Sequence, residues 1–384
     1  MDKELIIVGA GPAGCAAAYK AAKYGLDTLI IEKEEWPRYK ACGGALSDRT
    51  TKILKKYDID LKAEIIKSEI NNFKFRFKNN VEFEFNYNKV PIKLVDRSAF
   101  DDFMVRKAEK AGAEFVPKNR VLNLKEKDEK VWIETEKGNY QSQYLIAADG
   151  ANSKISNYLN FDQSNISYKG IAMEAEVERD KLSFDNFKNQ ITINFNYLAD
   201  GYAWLFPKNN YLSIGLGIMR YKKINIKEIF NNYLNDLGVE IKDNQILIQA
   251  HPIPIYSSKN TMNRGSDRIL LAGDAAHLAD AFIGEGIFYA LSSGFAAAES
   301  IIETKNSELP IKDIYQDKLD SSIISELQAA EKIASLFYNN QQIVRFILSK
   351  RKDLLTTFMN AVQGVESYRE LSSLFNFLKK LVKL

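Results

Sequence analysis

The apolar positions of this chain change period along its length. Glu4-Leu-Ile-Ile-Val8 is a short buried run rich in β-branched residues, and it breaks at Gly9-Ala-Gly-Pro-Ala-Gly14. Cys15 to Tyr24 is Ala-rich, which favours a closely packed helix, and Gly25 suits the position just past its end. Thr28-Leu-Ile-Ile-Glu32 repeats the strand pattern. Strand, helix and strand in this order predict a right-handed βαβ unit and a parallel sheet. Further on, Phe73-Lys-Phe-Arg-Phe and Val81-Glu-Phe-Glu-Phe alternate strictly, which predicts a hairpin with one apolar face. A helix is expected over about 98–111. Strands are expected at 131–135 and 144–148, and alternating strands at 171–177, 190–196, 202–206 and 211–217. A helix is expected near 227–237, a buried strand at 269–272 and a small-residue helix over 287–303. From Ile311 onward the pattern is helical. The layout is discontinuous. Residues 1–65, 91–160 and 262–305 form an α/β domain, 66–90 and 161–261 an antiparallel sheet laid against it, and 306–384 a helical region.

Composition narrows the class. The 384 residues exceed what one hydrophobic core usually serves. Lys and Arg number 53 against 50 Asp and Glu, a balance that predicts no general affinity for nucleic acid. Two Cys exclude a disulfide scaffold, and with only two scattered His they argue against a structural zinc site. The first apolar run is too short for a secretory signal, and no window reaches the ~20 apolar residues of a membrane span. The expected location is cytoplasmic, with contact at a membrane surface left open.

Gly9, Gly11 and Gly14 follow a strand and open a helix. In that frame the first glycine permits the turn, the second lets a pyrophosphate approach the backbone, and the third lets helix pack on strand. Glu32, at the end of the second strand, is placed to accept hydrogen bonds from a ribose. The ligand is therefore NAD or FAD. Ala147-Ala-Asp149-Gly150 and Leu271-Ala-Gly273-Asp274-Ala-Ala-His277 each set an acid beside glycine after a buried strand.

With these segments the chain resembles the FAD-dependent para-hydroxybenzoate hydroxylase superfamily. The resemblance implies that Gly9, Gly11, Ala13, Gly14 and Glu32 hold the ADP half of FAD. Asp149 would lie near the cofactor, Gly273 and Asp274 would meet the ribityl chain, and Gly286 and Ile287 the flavin ring. Arg97 would reach the diphosphate, and the Val121 backbone the adenine. A salt bridge from Arg97 to Asp101 at a helix start is the simpler alternative for that arginine. Two further segments, Pro37-Arg-Tyr-Lys-Ala-Cys42-Gly-Gly-Ala-Leu-Ser47 and Tyr202-Ala-Trp204-Leu-Phe206-Pro207 with Gly215-Leu-Gly217, are similar to the geranylgeranyl reductase family, whose members saturate isoprenoid chains. That resemblance implies a Rossmann-like FAD domain interleaved with a substrate sheet. It sets Cys42, Gly43 and Ala45 over the flavin. It places Tyr202, Trp204, Phe206, Pro207, Gly215 and Gly217 against a prenyl-chain lipid. Strand alternation independently puts Tyr202, Trp204 and Phe206 on one face, though ordinary core packing would use the same pattern.

An isolated isoprenoid double bond has no carbonyl to absorb negative charge, so an acid must protonate it as hydride arrives. Cys42 is the candidate, since a thiol with an ordinary pKa of ~8.5 is protonated at neutral pH; Tyr202 is the alternative, and small buried filler is the plainer role for Cys42. The electron source is unmarked: NADPH, ferredoxin or another reduced carrier, with an electron-donor protein among the partners, all remain open. An oxygen-dependent FAD monooxygenase, a flavin-dependent halogenase and a non-catalytic flavoprotein are the competing classes. After Asp280 the chain has Ala281 where many relatives have Pro, which predicts a more mobile loop. Residues 371–384 place apolar side chains at helical spacing opposite Lys379, Lys380 and Lys383. That fits a peripheral membrane helix, with a terminal helix docked on its own protein as the plainer reading. His251 is assigned to a linker strand without a role.

Overall fold

Backbone approaches closer than any side chain permits organise the first layer. The structure, a computed structural model, describes residues 1–79, 81–159, 169–178, 189–220, 224–239, 246–260 and 264–373. Its first sheet has the order β8 (Glu114–Val116), β2 (Thr28–Ile31), β1 (Asp2–Val8), β11 (Gly138–Ala147), β10 (Lys130–Thr135), β9 (Val121–Lys127). β11 pairs with β10 along its first half and with β17 (Ile269–Leu271) along its second. β1, β2, β8, β11 and β17 run parallel, whereas β9 and β10 form an antiparallel flap. Helices α1 (Pro12–Lys23), α3 (Arg97–Lys110) and α6 (Ile287–Thr304) cover this sheet. α1 and α6 approach so closely that a Cβ on Gly294 would collide with the Ala13 carbonyl.

The second sheet has the order β16 (Ile248–Pro254), β12 (Lys169–Glu178), β15 (Tyr211–Ile218), β14 (Gly201–Pro207), β13 (Gln190–Asn194), β5 (Asn72–Phe77), β6 (Val81–Asn86). It is not wholly antiparallel, as the alternation suggested. β13 and β5 are parallel, because the chain joins them through more than a hundred residues and no tight turn fixes their direction. One face packs on α5 (Ile226–Asp236) through Ala203, Leu205, Ile214, Leu216 and Phe230. The opposite face carries Phe73, Phe75, Trp204 and Phe206, and meets α8 (Ser325–Asn339), α9 (Gln341–Lys350) and α10 (Lys352–Gln363).

Residues 66–90 do not act as one piece. β4 (Ile66–Ile70) leaves the hairpin and pairs with β7 (Ile92–Val95), which also holds β3 (Ala45–Leu46) in a small third sheet. Two short helices, α2 (Asp48–Lys56) and α4 (Lys154–Tyr158), and the longer α7 (Ile311–Leu319) complete the fold. The tail is not one helix: it breaks at Asn340, at Arg351 and again over 364–367. Residues 374–384, most of the proposed membrane helix, lie outside the described residues; Leu371, before them, is buried against the second core.

Gly294→Ala is expected to destabilise the protein. A rigid backbone clash costs about 3 kcal/mol, which outweighs the ~1 kcal/mol that Ala gains over Gly inside a helix. A lowered Tm in thermal unfolding checks this.

Candidate active site

A cavity of about 280 Å³ lies between the first sheet and the second. One end is backbone: Gly11, Pro12 and Ala13 at the start of α1, and Gly284 to Ile287 at the start of α6. The other end is the aromatic face of the second sheet with Phe358, Met359 and Val362 of α10.

The glycine turn distinguishes its three glycines. A Cβ on Gly9 would strike the Ala148 carbonyl, and one on Gly14 would strike the Gly9 carbonyl. A Cβ on Gly11 would meet nothing closer than Arg38 Nη2 at 3.9 Å, so Gly11 is the one open to a ligand. Gly11 and Gly286 are the N-caps of α1 and α6, and neither end is capped by a side chain. Both therefore present N–H groups to an anion or a ring carbonyl. Glu32 is buried at the end of β2; Ala10 N–H donates to its Oε2 at 2.8 Å and Glu34 N–H to its Oε1 at 2.9 Å. Asp149, beside that turn, accepts from Lys154 N–H at 3.1 Å, while its Oδ1 is buried with no partner. Burial pushes the Asp149 carboxyl up. A cradle open only at Gly11, two uncapped helix starts and an orphaned acidic oxygen fit a dinucleotide with a diphosphate bridge.

Cations surround this end. Asp274 faces Lys40 Nζ at 3.6 Å and His251 Nε2 at 4.0 Å. Burial, then the nearby Lys40 charge, depresses His251 to about 4, so the imidazole is neutral at pH 7. Burial also pushes Lys40 down. Arg97 holds Asp101 with both donors, at 3.0 and 2.9 Å, and borders the cavity as well, so the helix-start salt bridge is present. Arg38 Nη1 lies 3.1 Å from the same Asp101. His251 is not in a linker: β16 is the edge strand of the second sheet, and it turns this residue into the cavity. Val121, in the first-sheet flap, does not border the cavity.

The Cys42 segment crosses between the two ends. Gly44 N–H donates to Cys42 Sγ at 3.4 Å, the Gly44 carbonyl accepts from Val95 N–H at 2.9 Å, and Arg97 reaches the same thiol. A Cβ on Gly43 would meet the Phe206 ring at 2.7 Å, so this loop rests directly on the aromatic wall. Ala45 lines the cavity at the start of β3.

Tyr202, Trp204 and Phe206 stand in series on the cavity face of β14, their ring centres 6.2 and 6.1 Å apart. The Tyr202 hydroxyl donates to the Ile283 carbonyl at 2.5 Å, and burial, then the nearby Asp280 charge, pushes this phenol up. Gly217 borders the cavity, but Gly215 and Pro207 stand outside it. A Cβ on Gly215 would collide with the Trp204 indole, so this glycine makes room for the tryptophan. Pro207 ends β14 opposite Leu212, out of the wall.

Sequence reasoning missed a buried ionic cluster beside the start of α6. The Arg49 guanidinium donates to Glu285, through Nε at 2.7 Å and also through Nη2. It packs on the rings of Phe288, Tyr289 and Tyr368, each about 5 Å away. Ser47 Oγ donates to Glu285 Oε1 at 2.5 Å. Asp280, wholly buried, accepts from Phe282 N–H at 2.5 Å and Ile283 N–H at 3.1 Å. Burial pushes its carboxyl up to about 6. Ser47 ends the segment the sequence singled out and Arg49 lies just beyond it, but only folding brings Glu285 and Tyr368 to them.

Fold and site together define an FAD-dependent oxidoreductase, and the FAD binding domain family matches residues 2–309. An uncharacterized protein of Methanosarcina barkeri is 31% identical over 337 residues, 88% of this chain and 84% of that one. The geranylgeranyl diphosphate reductase of Synechocystis is 27% identical, covering 80% and 77%. The digeranylgeranylglycerophospholipid reductase of Methanococcus vannielii is 28% identical, covering 79% and 78%. The chain belongs to the FAD binding domain family. A geranylgeranyl bacteriochlorophyll reductase-like protein of Thermoplasma acidophilum shares the fold with a TM-score of 0.78 at 22% identity, over 97% of this chain and 99% of that one. A flavin-dependent brominase shares it at 0.75 and 21% identity, over 100% and 99%. At these identities the likeness is one of fold alone.

Two outcomes follow. Gly11→Ala should leave the Tm of the FAD-free protein unchanged but weaken FAD binding by about tenfold or more. Gly14→Ala should lower that Tm as well. Titration of protein fluorescence with FAD, beside thermal melts, separates the two. For Asp280 the folded pKa of about 6 stands above the ordinary 3.8, so the protonated form is the one the fold favours. Its contribution to stability is present below about pH 4 and is lost as pH rises through 6. The Tm of the protein relative to Asp280→Asn should therefore fall from about pH 4 to about pH 6 and level off above that.

Proposed function

We propose that the protein saturates carbon–carbon double bonds of a geranylgeranyl-type chain carried by a lipid. The observation that supports this reading is the cavity, which runs from the uncapped starts of α1 and α6 to a wall of Tyr202, Trp204 and Phe206. Reduced FAD, when bound, supplies the hydride. The aromatic faces exclude water and favour positive charge on the more substituted carbon.

Among the polar side chains at this wall, Cys42 is the proton donor in our reading. The Tyr202 hydroxyl is already committed to the Ile283 carbonyl. Glu285 accepts from Arg49 and Ser47 and offers no proton. His251 is neutral at pH 7. Cys42 Sγ accepts from Gly44 N–H and lies by Arg97, both of them donors, so its own S–H is directed to the cavity rather than to a protein acceptor. No helix among the described residues is long and apolar enough to cross a membrane. The lipid would be met at the membrane surface, and NADPH, ferredoxin or another carrier would supply electrons.

The test is anaerobic incubation of the FAD-loaded protein, reduced with dithionite, with digeranylgeranylglycerophospholipid, followed by mass measurement. The expected product gains one H2 for each double bond reduced. An oxygenated or halogenated product formed only in air, with no hydrogenation, would instead favour the monooxygenase or halogenase reading. Cys42→Ala should slow the reduction by about a hundredfold with FAD still bound; an unchanged rate removes the acid role.

A further inference from the structure

The second sheet carries a buried carboxylate that the reading above does not use. Glu174, in the middle of β12, is 1% exposed, and among the described residues no cation pairs with it. Its Oε2 accepts from the Cys42 N–H and, at 3.5 Å, from the Tyr39 hydroxyl. Its Oε1 accepts from the Ser213 hydroxyl, and Ser213 Oγ accepts in turn from Trp204 Nε1–H at 3.2 Å. The three strands register for this purpose. Gly215 of β15 lies opposite both Glu174 and Trp204, and the missing Cβ lets the indole cross toward Ser213. The carboxylate thus holds the backbone of the Cys42 loop with one oxygen and the tryptophan of the wall with the other.

A buried carboxylate without a cation costs free energy unless its lone pairs are filled. Here the chemistry explains its use. A carboxylate accepts on both oxygens. It can therefore take the Cys42 N–H on one side and orient the Ser213 hydroxyl on the other, so that Ser213 Oγ is free to accept from the indole. A glutamine of the same shape would offer a donor on one side. The indole N–H keeps the Ser213 hydroxyl pointed at the side chain as a donor, so the glutamine oxygen stays on Ser213, and its NH2 is set against the Cys42 N–H and frees the loop.

We propose that Glu174 is a positioning residue that couples the Cys42–Gly43 loop to the Trp204 wall, fixing the spacing between the proton donor and the bound prenyl chain. This rests on the proposed prenyl reduction, and its test has a readout that does not. In the FAD-loaded protein, the alkylation rate of Cys42 by iodoacetamide is located by peptide mass and compared with Glu174→Gln. Cys15, wholly buried, serves as the unreactive reference. Release of the loop should speed alkylation of Cys42 about tenfold, the loss of one charge-assisted hydrogen bond. With digeranylgeranylglycerophospholipid, kcat should fall about tenfold while KM stays within about twofold, because an interaction that orients the reacting group is lost and chain burial is not. Wild-type alkylation and wild-type kcat in Glu174→Gln overturn the proposal. If the unaltered protein reduces no prenyl lipid, the reductase reading fails, and the alkylation rates still decide the role of Glu174. Should Glu174→Gln not fold or not bind FAD, Ser213→Ala carries the test, since it keeps the Cys42 bond and cuts only the link to Trp204. There KM should rise about threefold with alkylation unchanged, the effect of a loosened wall on ground-state binding; no change in KM overturns the coupling.

Discussion

The whole first domain depends on backbones touching where side chains would forbid it. Gly9 lies against the Ala148 carbonyl, Gly14 against the Gly9 carbonyl, Gly294 against the Ala13 carbonyl, and Gly273 within 2.9 Å of Ala13 Cβ by the path a Cβ would take. These contacts tie together four segments far apart in sequence: the first turn, the end of β11, the loop after β17 and the middle of α6. Packing interiors are dense enough that one methyl at any of them would shift neighbouring elements. The same knot leaves Gly11 open, so the tight packing of its neighbours is what shapes the cradle for the cofactor.

The second sheet shows a different constraint. Both of its faces are covered, one by α5 and one by the first domain and the tail helices. Ala203 and Leu205 point to the α5 face, and Tyr202, Trp204 and Phe206 to the cavity. Buried polar side chains around the cavity are held in small hydrogen-bonded sets. Glu174, Ser213 and the Trp204 indole form one on the second sheet, and Arg49, Glu285 and Ser47 form another beside the start of α6. These two sets brace the aromatic wall and the start of α6, between which the FAD ring and an apolar chain would meet.

Several features were legible because they are local. Spacing of Gly9, Gly11, Gly14 and Glu32 announced the βαβ unit, and period-two alternation announced the aromatic face of β14. The roles of Gly215 and His251 were not legible. Gly215 appears from its motif to belong to a substrate wall, yet it serves a neighbouring strand's tryptophan. His251, between apolar residues and prolines, gave no signal until β16 was seen to form the sheet edge that borders the cavity.

By itself the sequence determined the dinucleotide turn and the apolar side of strands such as β14, since these depend on residues a few positions apart. Only the tertiary structure decided which buried charges meet. Glu174 sits between Met173 and Ala175 in an alternating strand, and that pattern assigns it to solvent. The fold covers that face with the Cys42 loop, and a carboxylate so enclosed must find its donors wherever the chain has brought them.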